Sequence, residues 1–345
     1  MAKHLCAAIV FLVWGVSAGC GGSDGGGGPV ADVPAESQDA AGDGLAVPEV
    51  GPDAAADGVE VTKDPMLQFT NATCEKLVEC GPTFLEMHFG GLEACKVREY
   101  ETVKPLLDLP GLDVDWAACA GASQAMTCQQ FIRQHIGETP IADACAWTGS
   151  LKDGEPCSHP YQCEGRICAR TAGSSCGTCA SALPDGADCE GSYVLSSACG
   201  IGSACAGGKC VQLGDTGDSC DPSTAPCFSD LGCVDGKCGP PRKAGEKCKL
   251  LTGECDLYGQ GLVCHLALGT CVPLGLAGPD GACGLTETAA VVCKLGTCYP
   301  SALAGTCTAQ AADGDPCDPE VGPDCQIHAQ CVSGTCEQFF TPVCQ

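Results

Sequence analysis

Gly217-Asp218-Ser219-Cys220, then Cys227, then Leu231-Gly232-Cys233-Val234-Asp235-Gly236-Lys237-Cys238, is the stretch that decides how this chain is built. Asp235-Gly236 between Val234 and Lys237 reads as a two-residue hairpin turn, because both central positions need positive φ and Asp and Gly tolerate it. Variants of the same hairpin stand at Cys205–Cys210, Cys293–Cys298 and Cys331–Cys336, with a drifted one at Cys264–Cys271. The lead cysteines Cys157, Cys189, Cys220, Cys248, Cys283 and Cys317 recur at spacings of 32, 31, 28, 35 and 34 residues. Each follows a glycine two or three residues upstream: Gly154, Gly186, Gly217, Gly245, Gly281 and Gly314. The pattern predicts six cysteine-rich repeats, at about 151–182, 183–214, 215–242, 243–277, 278–311 and 312–345, each a loop plus a short β-hairpin.

A lone hairpin is not stable in water, and only 5% of this chain is aromatic. Disulfides must supply what the core lacks. A bridge closing a loop of about 15 residues contributes roughly 3 kcal/mol in the chain-entropy account. If both hairpin thiols face one side, each reaches back to one upstream thiol. That favours first-to-third and second-to-fourth pairing, for example Cys220 with Cys233 and Cys227 with Cys238. Cys179 and Cys344 then fall outside the four-per-repeat rule at the two ends. The chain carries 34 cysteines in 345 residues, and setting aside Cys6 and Cys20 leaves an even 32. Such density belongs to an exported chain in an oxidising space.

The N-terminus agrees. Lys3 and His4 precede an apolar run from Leu5 to Val16, too short to span a bilayer. It ends in Ser17-Ala18-Gly19, which marks residues 1–19 as a signal peptide. Val16-Ser17-Ala18-Gly19-Cys20 resembles a bacterial lipobox, with Ser17 standing where Leu is commonest. The resemblance implies cleavage before Cys20 and its lipidation. Ordinary cleavage after Ala18 uses the same small residues. Two or three acyl chains make membrane attachment effectively stable. Gly21 rather than Asp after the cysteine, by resemblance to Gram-negative lipoproteins, favours the outer membrane or cell surface.

Residues 20–64 are a lipid-anchored, disordered Gly/Asp/Pro linker: ten acids are offset by Lys63 alone, with no aromatic residue. As a flexible coil such a segment reaches about 35–40 Å. Residues 65–150 lose glycine and gain Leu, Met, Phe and Glu. Helical periodicity marks Met66–Val78, Leu92–Leu107 (interrupted near Pro105), Asp115–Met126 with Asp115 as N-cap, and Gln129–Ile136 stopped by Gly137. Cys74, Cys80, Cys95, Cys119, Cys128 and Cys145 staple this helical domain in a connectivity the sequence leaves open.

The run Cys157-x5-Cys163-Glu164-Gly165-Arg166-Ile167-Cys168, with Cys176-Gly177-Thr178-Cys179 and Gly186 before Cys189, resembles the Dickkopf N-terminal cysteine-rich domain. Together with the lipobox, linker and helical part it is similar to the cysteine-rich lipoproteins of myxobacteria and their relatives. The resemblance implies architecture. In animals that domain belongs to secreted antagonists of Wnt receptors, but no receptor-contact motif is present here, so signalling does not carry over.

The net charge of −26 disfavours nucleic acid and anionic lipid as partners. No phosphate loop, dinucleotide fingerprint, HExxH or EF-hand spacing occurs, so no cofactor and no metal are expected. Gly173-Ser174-Ser175-Cys176-Gly177 matches a hydrolase elbow without its strand–turn–helix context. Cys176-Gly177-Thr178-Cys179 matches a redox dithiol without its αβ context, so both cysteines read as structural. Asp215, Asp218 and Asp221, and Asp313, Asp315 and Asp318, read as solvated acidic turns, and Arg242, Lys243, Lys247 and Lys249 as a solvated linker. Asn71-Ala72-Thr73 fits a glycosylation sequon, which a bacterial lipobox makes irrelevant.

The expected protein is non-enzymatic and lipid-anchored at Cys20. It presents a rod-like row of disulfide modules for binding a protein or glycan at the cell surface. A surface-coat component without a specific ligand is the alternative. A less favoured one is an enzyme with its site in the helical domain, around Glu86, His88 or His135.

Overall fold

The structure, a computed structural model, describes residues 64–345 apart from 109–113, 141–144, 146–148, 171–175, 190–198, 250–252, 266, 286–289, 300–303, 319–321, 339–343 and 345. Cys20, the signal and linker segments and Ser175 therefore lie outside the described residues. Every described cysteine is in one of sixteen disulfides. No described helix is long and apolar enough to cross a membrane.

The first part is helical: α1 Pro65–Cys80, α2 Pro82–His88, α3 Leu92–Val103, α4 Trp116–Ala125 and α5 Cys128–His135. Asp115 caps α4 by accepting from the Ala118 amide at 2.9 Å. Thr127 and Gln130 form a capping box at the start of α5. Gly137, at φ 80°, ends α5 in the left-handed region. After α3 the chain tightens into a 3-10 turn, Lys104–Asp108, because Pro105 cannot donate the next helical hydrogen bond. Helix α2 is an addition to the four segments that periodicity predicts. Leu77, Leu85, Phe89, Phe131 and Ile132 form one core with Cys74, Cys80 and Cys95. Met66, Val103, Leu106 and Trp116 form another. Cys74–Cys95 ties α1 to α3, Cys80–Cys128 ties α1 to α5, and Cys119–Cys145 holds the chain after α5 to α4.

The second part consists of small hairpin sheets. In the Cys220 unit, strands Gly232–Val234 and Lys237–Gly239 pair with Cys233 opposite Cys238. Asp235 and Gly236 turn between them at φ 52° and 79°. Ahead of Cys220, Gly217 at φ 92° makes a tight turn closed by Asp218 N–H to the Asp215 carbonyl at 3.0 Å. Gly217 N–H then donates to the Cys238 carbonyl at 2.8 Å, and Cys238 N–H to the Asp218 carbonyl at 2.9 Å. The turn thus lies as a third strand against the hairpin.

The glycine upstream of each lead cysteine is explained by this turn. Gly154, Gly186, Gly245 and Gly314 repeat the bond to Cys179, Cys210, Cys271 and Cys336, all with positive φ. At Cys283 the position falls on Asp280, φ 62°, whose amide bonds the Cys307 carbonyl. It does not fall on Gly281, which spacing alone suggests. Asp is among the few side-chain-bearing residues that visit this region readily.

Cysteines opposite each other on a hairpin stand on the same face, both turned toward the upstream segment that packs there. Each therefore bonds upstream. Cys220 joins Cys233 and Cys227 joins Cys238. The same interleaving runs through Cys189–Cys205 with Cys199–Cys210, Cys248–Cys264 with Cys255–Cys271, Cys283–Cys298 with Cys293–Cys307, and Cys317–Cys331 with Cys325–Cys336. In the first unit Cys157 joins Cys168 and Cys163 joins Cys179.

Three expectations are corrected. The thiol outside the four-cysteine pattern at the start is Cys176, not Cys179. Cys293–Cys298 is not a hairpin: Leu295 has positive φ but Gly296 does not. Strand Ala290–Cys293 pairs instead with Cys271–Ala277, in parallel, and with Ala282–Leu285. Strand Gly296–Tyr299 pairs with Ala304–Ala309, placing Cys298 opposite Cys307. One six-stranded sheet consequently spans two units. Nor is the array a rod, because Cys176 is bonded to Cys344, 168 residues on.

Candidate functional site

The chemistry-bearing side chains of the helical part meet the array. Arg98 on α3 grips Asp313 with both terminal nitrogens, at 2.5 and 2.9 Å, and donates from Nε to the Ile327 carbonyl at 2.8 Å. Its neighbour Glu99, only 6% exposed, meets His328 Nε2 at 2.8 Å. Arg133 on α5 donates to Asp230 and, at 3.2 Å, to Asp215, with its guanidinium 4.0 Å over the Phe228 ring. Glu138 accepts from the backbone and hydroxyl of Ser229. Glu86 pairs with Lys294 at 2.6 Å, while the Leu295 amide donates to the Met87 carbonyl at 2.9 Å. Tyr258 and Ile327 pack onto the helical core.

A histidine group sits at this junction. His88 and His135 both lie against Phe84, at 4.3 and 5.5 Å between ring centres, and His135 stacks on Phe131 at 5.5 Å. His328 comes from the array and approaches Phe89 at 6.2 Å. Burial pushes His88 down to about 4, helped by His328 and His135. Burial also lowers His135, with Glu99 opposing and His328 adding to the shift. For Glu99, burial works upward, but the charge and hydrogen bond of His328, with His135 and Arg98, hold the carboxyl below its usual range. Burial raises Glu138 despite the Ser229 hydrogen bonds.

The structure thus brings His88 and His135 together, as an enzyme centred on them requires, but packs them into a seam. Glu86 is spent on an ion pair across the same seam. Arg98, Glu99, Arg133, Glu138 and His328 carry most of this junction, and sequence reading did not single them out. Their signal was weak: Arg133 follows Phe131 and Ile132, so a charge sits beside the apolar stripe of α5.

The other sequence candidates have local roles. Cys176 and Cys179 are not bonded to each other: their partners are Cys344 and Cys163. The sulfurs of Cys220, Cys227 and Cys238 lie within 4.8 Å of one another, a consequence of interleaved bonds. Metal ligation requires thiolates, and these sulfurs are in disulfides. Asp215 binds Arg133, Asp218 accepts from the Asp215 amide, and Asp221 accepts from the Ser223 and Thr224 amides. Asp313 binds Arg98 and Gln338. These carboxylates serve turns and pairs. In the basic cluster, Arg242 is held by buried Glu254 at 3.0 Å and by Asp235 at 3.5 Å. An open groove of about 350 Å³ on the helical part is lined by Leu67, Val97, Tyr100 and charged neighbours, where Lys96 already pairs with Glu75 and Glu93.

The chain matches no family model, no curated protein and no solved structure.

Proposed function

We propose that this is a non-enzymatic, lipid-anchored envelope protein. It holds six cysteine-rich repeats on a helical base and presents them for binding a protein or glycan at the cell surface. The observation that carries the reading is the bonding of every described cysteine, the mark of an extracellular cysteine-rich protein. The lipobox-like residues ending at Cys20 and the acidic linker behind it supply the anchor and the stalk. The likeness to Dickkopf-type repeats and myxobacterial lipoproteins belongs to this proposal as a matter of build. The candidate catalytic side chains Glu86, His88 and His135 are engaged at the seam between the helices and the array, which favours a binding role for the outer surface.

Mass spectrometry of the mature N-terminus tests the anchor, with an acylated Cys20 expected and an unmodified start at Gly19 overturning it. Cys20→Ser should release the full-length protein into the aqueous phase. That soluble form should bind intact cells saturably, and competition by unlabelled protein should remove the signal. Very high copy number with no saturable binding would replace this reading with that of a surface coat.

A further inference from the structure

We propose that Cys176–Cys344 is a thiol–disulfide exchange site, a clasp that a small or protein dithiol opens without unfolding any unit. Two independent features of the bond point to this. Cys176 is the one exposed cysteine among the described residues, every other being buried or half-buried. A reductant must approach the sulfur it attacks, so access selects among disulfides.

The second feature is topology. The other bonds are staples. Those of the hairpin units span 11–16 residues and come in interleaved pairs. Those of the helical part span 21–48 residues and join packed helices or their flanks. Cys176–Cys344 spans 168 residues and belongs to no such pair. Its loss leaves both bonds of the Cys157 unit and both bonds of the Cys317 unit in place.

The exchange runs through one mixed disulfide. A thiolate of the dithiol attacks Cys176 Sγ, forming a mixed disulfide, and Cys344 leaves as a thiolate that takes up a proton. The second thiol then attacks the reductant's own sulfur in that mixed disulfide. Cys176 is released as a thiol and the reductant departs as its disulfide. The last unit stays held through Arg98–Asp313 and Glu99–His328, and an oxidant re-forms the bond.

The test is titration of the full mature chain with dithiothreitol, quenching with N-ethylmaleimide and mapping the labelled peptides. At the point where two thiols per molecule are free, Cys176 and Cys344 should carry label at least tenfold above any other cysteine, and removing reductant under air should reverse it. Label appearing first elsewhere, or all bonds opening in one step, overturns the proposal. The double variant Cys176→Ser with Cys344→Ser should fold with its remaining bonds intact and release no thiol at that dithiothreitol concentration. If it fails to fold, the claim that the clasp opens without unfolding a unit is wrong.

Discussion

Gly217 shows what a single residue decides here. Its φ of 92° lies where L side chains are rare, yet nothing stands within 4 Å of where a Cβ would be. The requirement is for the angle, not for space. Gly217→Ala should therefore cost about 1–2 kcal/mol, read as faster hydrogen exchange at the Cys238 amide. Gly239 offers a control: it too has open space but an ordinary φ, so Gly239→Ala should stay within about 0.5 kcal/mol of the parent. The glycine rhythm was legible because a dihedral need leaves a residue type behind. Asp280 was not, since its neighbour Gly281 carried the same letter at a plausible distance. Arg133 was illegible for another reason: its partners lie 82 and 97 residues away. With Arg133 and Asp230 at 10% and 13% side-chain exposure, Arg133→Ala strands a carboxylate and should cost on the order of 3 kcal/mol in chemical denaturation.

Among the elements, the capped helices were readable and α2 was not. Asp115, Thr127 and Gly137 are terminus signals with a mechanism, whereas α2 has no side-chain cap and buries only Leu85 fully. Between Gly81 and Gly90 its seven residues look like a loop, and packing makes them a helix. That packing has a pH signature. His88 at the end of α2 is held near 4 by burial, with His328 and His135 contributing, against 6.5 when exposed. The unfolded chain then binds more protons than the native one as acidity rises. This contribution is full above about pH 6.5 and is lost as pH falls towards 4, with lowered His135 acting in the same direction. Glu99, held below its usual range, adds a loss at still lower pH as its carboxylate protonates. Hydrogen exchange across α2 and α5 should accelerate over the 6.5-to-4 window, and His88→Gln should flatten that slope. An unchanged slope would show that His88 does not titrate through unfolding.

For residues 65–345 together, covalent order and non-covalent order follow different rules. The sequence exposes the first because bonded cysteines are neighbours along the chain within each unit. It hides the second, since Arg98 and Asp313 are 215 residues apart and no local pattern announces their pairing. Repeat spacing favours units that contact only their neighbours. The structure instead seats Phe228, Ser229, Tyr258, Lys294, Leu295, Ile327 and His328 against the helices. A protease site opened between Gly149 and Gly154 should consequently not yield two separable pieces. Among the described residues no disulfide crosses that point, yet the fragments should co-elute in gel filtration until denaturant is added. Elution as two independent folded species would mean that the seam is too weak to matter.

The bond between Cys176 and Cys344 also decides where tension goes. A pull applied at Cys157 and at Gln345 passes through the short-range bonds of the first unit, then through the Cys176–Cys344 link, and bypasses the chain from Cys179 onward. The intervening units are shielded, each keeping its own length in reserve. Single-molecule stretching between those two points should give a short, stiff response in the oxidised protein. Cutting the link should release hidden length, and the mechanical compliance of this exported chain would then be set by one cystine.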